Sequence, residues 1–181
     1  MNFNQLVLAK LGAMFLEYDL RIAEQFENYL KLQSKSLIMI ITHNPLEGSN
    51  MFWIGRNIPG LDKIEIDNEV MREFFHSELP ISSCTTTDIF IDSLTIFFGR
   101  EGRSLLKGDL NKMVELEKYD QERSHLYTLQ LRDKQNLDAA NNAWEENNYR
   151  GFIKYMNEIE ATKWPSSCKL KYNIAHNRLK V

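Results

Sequence analysis

Cysteine, proline and glycine are scarce in this chain of 181 residues, present at two, four and eight copies. Two cysteines, Cys84 and Cys168, are too few and too far apart for the disulfide framework of a small secreted domain. Both are expected as reduced thiols, used as small buried hydrophobes. So few prolines and glycines, thinly spread, leave no flexible or polyproline linker. With no internal repeat and no low-complexity tract, one domain over 1–181 is expected.

Long hydrophobic runs are missing too. The most apolar stretch, 37–41 (LIMII), falls far below the roughly 18 residues that a membrane span requires. The opening MNFNQLVLAKLGAMFLEYD lacks a basic leader, and Lys10 interrupts its apolar run, which argues against a signal peptide. A cytoplasmic location follows as the expectation. Positive charge is also in short supply. A net charge of −3 disfavours general affinity for nucleic acid, which needs a basic surface. Metal motifs are absent from the sequence: His43, His76, His125 and His176 are scattered, without a close pair and without CxxC, so no metal or cofactor is expected.

What is present is the material of a core, 43% hydrophobic and 11% aromatic, enough for a chain of this length to fold without staples. Apolar residues from Val7 through Leu11, Phe15, Tyr18, Ile22 and Phe26 to Tyr29 recur at steps of three and four, predicting helix over about 4–32, with a break near Gly12. Strands are predicted at 36–42, 51–58 and 63–66, separated by the turn signals Asn44-Pro45, Gly48-Ser49 and Pro59-Gly60. Asp67 suits the cap of a helix burying Val70, Met71, Phe74 and Phe75. Over 85–99 a strand is compatible with the β-branched and aromatic residues, but a helix capped at Thr87 and stopped at Gly99 suits them better. One short helix is expected around Leu106, Leu110 and Met113, then helices on the faces Leu137–Ala140–Trp144, Phe152–Tyr155–Met156–Ile159 and Cys168–Tyr172–Ala175–Leu179. The fold class expected is α+β: a small sheet from about 36–66 packed with helices, and a helical C-terminal half.

Charge is unevenly placed. Six acids (Asp62, Glu65, Asp67, Glu69, Glu73, Glu78) crowd 62–78 against Lys63 and Arg72, while Lys163, Lys169, Lys171, Arg178 and Lys180 face no acid from 163 onward. Either run can be a solvated face or a docking surface.

Candidate chemistry is sparse. His43 and Glu47 share a loop at a strand end, a frequent place for function. Arg100, Arg103 and Lys107 lie among glycines before a helix, where an anion could be cradled, though the pattern is neither a Walker loop nor a dinucleotide fingerprint. Asp88 and Asp92, four apart, share a helix face as acid–base pairs can, or serve the helix dipole and the surface. Cys84, upstream of a helix start, has the setting of an activated thiol or of a bystander. Phe52-Trp53 and Trp144 with Tyr149 read as core packing or as partner anchors.

The segment LDAANNAWEENNYRGFIKYMNEIE, followed by WPSSCKLKYNIAHNR, carries the hairpin pattern A-x-x-A-W…Y-x-x-F. In this it is similar to small uncharacterised bacterial proteins, some of which neighbour secreted toxins and act as their immunity partners. The resemblance implies a protein partner, a toxin domain among the candidates, and transfers no residue roles. The resulting expectation is a non-enzymatic, immunity- or antitoxin-like inhibitor contacting its partner through Asp62, Glu65, Asp67, Glu69 and Glu73. The alternative is a small enzyme or anion-binding protein using His43 and Glu47 or the turn with Arg100, Arg103 and Lys107.

Overall fold

A computed structural model describes residues 2–81 and 86–180. It opens on α1 (Phe3–Glu17), where Asn2 and Gln5 form a reciprocal capping box and Phe3, Val7, Leu11 and Phe15 make one buried stripe. Four-residue spacing puts these side chains in a single row down the helix. The helix runs through Gly12 and ends at Tyr18, with Asp19 in the left-handed region at φ 52°.

Residues 21–33 are not helix. They form β1 (Arg21–Phe26) and β2 (Tyr29–Gln33), a hairpin turning at Glu27 and Asn28. The sheet therefore begins well before residue 36. It continues through β3 (Leu37–Asn44), β4 (Ser49–Arg56) and the two-residue β5 (Ile64–Glu65), all antiparallel, in the order β1-β2-β3-β4-β5. The register places Leu30, Ile41 and Phe52 in one inward row and Leu32, Met39, Ile54 and Ile64 in the next, all buried.

Helices cover that inward face. Asp67 caps α2 (Asn68–Glu73), its Oδ1 accepting from the Val70 amide at 2.8 Å. The helical reading holds for α3 (Thr87–Gly99), with the cap one residue earlier, at Thr86. Phe97 and Phe98 meet Phe52 edge-on, and Phe97 also meets Phe75 at 4.9 Å. These rings sit with α1 and the inward sheet rows in one continuous core.

The short helix expected around Leu106, Leu110 and Met113 is two elements. Gly108, at φ 77°, separates α4 (Arg103–Leu106) from α5 (Leu110–Glu145), a left-handed break that only glycine makes cheaply. After α5 come α6 (Tyr149–Asn157), a tight turn at Ala161–Lys163, and α7 (Ser166–Leu179). The chain is α+β, with the sheet in its N-terminal half.

The contacts divide into two compact units, Met1–Asp120 and Gln121–Val181. Their boundary falls inside α5, so no change of composition marks it. The second unit has its own apolar cluster of Ala140, Ala143, Phe152, Met156, Cys168 and Ala175. Trp144 meets Phe152 at 5.3 Å, and Trp164 packs on Tyr172 while its Nε1 donates to the Ile159 carbonyl. Cys168 is buried and unpaired, as a small hydrophobe would be. Among the described residues no helix is long and apolar enough to cross a membrane.

Candidate protein-binding face

Alternation along a strand sends every second residue to the opposite side of the sheet, so the register that buries Phe52 and Ile54 turns Met51 and Trp53 outward. Three rows cross the outer face. Phe26, Tyr29, Thr42 and Met51 form one; Glu24, Lys31, Ile40, Trp53 and Glu65 the next; Arg21, Gln33, Ile38 and Gly55 the third. Tyr29, Ile38, Ile40, Met51 and Trp53 are half-buried, and Phe26 is 65% exposed. None of the six joins either buried cluster. The face is thus apolar and aromatic at its centre and charged at its sides, with Lys31 paired to Glu24 on β1 and Glu65 beside Trp53 on β5.

Gly55 shapes one border. A Cβ there would come within 2.6 Å of Lys63 Cδ and 3.2 Å of the Asp62 carbonyl, so the missing side chain lets the segment leading into β5 lie against β4. That close approach carries Asp62 and Glu65, both exposed, to the margin of the aromatic row.

The five acids named as contacts have different duties. Asp62 and Glu65 border the outer face. Asp67 is occupied in capping α2, and Glu69 lies in that helix's first turn, where the dipole favours an acid. Glu73 pairs with the adjacent Arg72 at 2.9 Å, which, with Glu78 and Glu69 nearby, holds the guanidinium above its ordinary pKa.

His43 and Glu47 are not brought together. His43 is the penultimate residue of β3, its Nδ1 3.0 Å from Asn50 Oδ1, its ring stacked on Phe3 at 5.7 Å. Glu47 is exposed in the following turn, with its carboxylate toward the Ser49 hydroxyl at 3.4 Å. Asn50, buried and also reached by the Thr87 hydroxyl at 3.4 Å, is the polar residue that the sequence reading missed. Its only sequence signal was a position two residues before an aromatic pair.

The three cations also part company. Arg100 lines a depression with His76, Ser77, Glu78, Leu79 and Glu101. Arg103 turns to Tyr18, whose hydrogen bond raises the pKa of the guanidinium, and Lys107 borders a different depression that also includes Tyr18. Asp88 and Asp92 do share a face, and both serve Lys10 of α1, at 3.5 and 2.7 Å. Cys84 lies outside the described residues.

Several C-terminal cations are engaged within their own unit: Lys163 with Asp133, Lys171 over Trp144, Arg178 over Tyr149. Among the described residues no three His, Cys, Asp or Glu side chains are grouped to hold a metal ion. No protein-family model, curated protein or solved structure matches the chain.

Proposed function

We propose that this protein is a non-enzymatic binder of another protein, an inhibitor of the immunity or antitoxin kind, and that the outer sheet face is its contact surface. One observation carries the reading: the half-buried row Lys31–Ile40–Trp53 crosses an open sheet face between Glu24 and Glu65. Large aromatic side chains with an apolar surround and a polar rim are what interface hot spots are made of. Asp62 and Glu65 give that rim a negative side, which fits a partner with a basic surface. Toxins that cleave nucleic acid carry such surfaces, because their substrate is polyanionic. Covering such a surface inhibits without chemistry, and opposite charge speeds the encounter. A reducing, cytoplasmic compartment suits the unpaired Cys168.

The test is capture of the partner from the native host on immobilised wild-type protein, followed by titration of the purified partner. Trp53→Ala should weaken that titration about 30-fold, the scale of a hot-spot loss of about 2 kcal/mol. Equal affinity for wild type and Trp53→Ala, with both folded, would reject the outer face.

A further inference from the structure

An apolar groove of about 640 Å³ runs between α1 and β1, lined by Leu8, Ala13, Phe15, Leu16, Ile22 and Leu32 among others. Leu16 and Ile22 stand 79% and 46% exposed beside it. The strand on its border, β1, is the first in the sheet order, and all six of its residues are exposed. An edge strand offers its outer amides and carbonyls to any extended segment that lies beside it.

At one end the groove shares Arg21 and Ile22 with a polar depression of about 430 Å³ that adds Gln33, Ser34, Lys35 and Asn57. Next to it, a third depression contains Lys35 again, with Tyr18 and Lys107. Three cations thus gather at this end against one carboxylate, Asp19, which sits 3.0 Å from Arg21. The balance is positive on a chain whose net charge is −3.

We propose that this groove receives the C-terminal tail of a partner protein. The tail is extended, apolar at alternate positions, and ends in a free carboxylate at Arg21 and Lys35. Each part of the site selects one part of the ligand. The groove takes alternate side chains, the β1 edge pairs with the main chain, and the cationic end takes the carboxylate. A fatty acid has no amides for the edge, and an internal segment has no main-chain carboxylate in line with the paired strand for the cations. The register shift between Ile22 and Glu24 bends the edge and limits the paired run, which suits a tail of a few residues. The apolar lining, Ile22 and Leu32, lies on the inward side of the sheet, while Arg21 and Gln33 at the polar end also border the third row of the outer face; the proposal does not rest on the assignment of that face.

The experiment uses the full chain and four pools of six-residue peptides, each degenerate except for a last residue fixed as Val, Ile, Leu or Phe. Retention on immobilised protein is compared for free-acid, C-terminally amidated and alternately N-methylated pools. We expect the free-acid pools to be retained about tenfold better than either modified form, the scale of one charge-assisted hydrogen bond. Arg21→Glu with Lys35→Glu should remove the preference for the free acid. Leu16→Asp, at an exposed position that circular dichroism can confirm as folded, should remove retention altogether. Equal retention of acid and amide forms, or indifference to N-methylation, would overturn the proposal. Binding of dodecanoate in place of every pool would assign the groove to a small amphiphile. A concentration-dependent dimer abolished by Leu16→Asp would assign it to a second copy. Either result also overturns the proposal.

Discussion

Arg56 on β4 and Glu117 on α5, 61 positions apart in sequence, meet in a two-pronged pair with both hydrogen bonds at 2.7 Å. The side chains are 27% and 14% exposed, so the pair is partly shielded from water and held in the planar fork that guanidinium and carboxylate share. It fastens the inward side of β4 to the start of the long helix. The carboxylate raises the Arg56 pKa, first through the hydrogen bond, so the arginine stays charged at any working pH.

Removing Glu117 should therefore hurt more than removing both partners, because a lone shielded charge is left behind. Glu117→Leu is expected to lower Tm by about 4 °C, and adding Arg56→Met to it to recover part of that loss. Calorimetry on the two single variants and the double variant measures the coupling. Strict additivity would mean that the pair contributes nothing.

A second prediction concerns the ring cluster. Phe97 is fully buried against Phe52, Phe75 and Phe98, so Phe97→Ala should cost about 3–5 kcal/mol in urea unfolding. Gly102 sits against the same ring: a Cβ there would lie 2.5 Å from Phe97 Cε1. Gly102→Ala should cost about 1–3 kcal/mol by overpacking. Because both act on one ring, the double variant should cost less than the sum of the singles.

The alkaline limb of stability offers a third. Lys10 is held charged above its usual 10.5 chiefly by its hydrogen bond to Asp92, with Asp88 adding charge and partial burial opposing. A base with a raised folded pKa contributes fully below its unfolded value and loses that contribution as pH climbs through the folded one. The Tm difference between wild type and Asp92→Asn should hold from neutral pH to about 10.5 and shrink above it. A difference that shrinks below pH 9 would assign the effect to another group.

The regions legible in the sequence are those where local pattern and final structure obey the same period. The stripe Phe3, Val7, Leu11 and Phe15, the cap at Asp67, the three strands from β3 to β5 and the three C-terminal helical faces are of this kind. The segment 18–33 is not. Tyr18, Ile22, Phe26 and Tyr29 continue a helical step of three or four, yet a bulge between Ile22 and Glu24 puts Ile22 opposite Leu32 on the inward side and Phe26 opposite Tyr29 on the outward side. Even spacing normally keeps two strand residues on one face. The extra residue breaks that rule and hides the strand. The outer face was half legible for a related reason. Alternation shows that Phe52 and Trp53 point opposite ways, and only the register with β3 and β5 shows that Trp53 is the one turned outward beside Glu65. That Asp62 and Glu65 border the outer face while Glu73 pairs with Arg72 was not legible, since charge alone does not say which side of the fold an acid takes.

The last prediction separates speed from grip at the outer face. Trp53 is half-buried on the open side of the sheet and outside the core, so Trp53→Ala should cost no more than about 1 kcal/mol of stability while raising the partner's dissociation rate. Glu65 stands directly opposite it at the sheet edge and is exposed. Glu65→Lys should leave dissociation almost unchanged and slow association about tenfold at low salt, converging with wild type as salt rises and screening takes over. Stopped-flow association at several ionic strengths distinguishes the two effects. If Glu65→Lys slows binding equally at all salt concentrations, the acidic edge acts by contact and not by its field, and long-range steering by 62–78 must be given up.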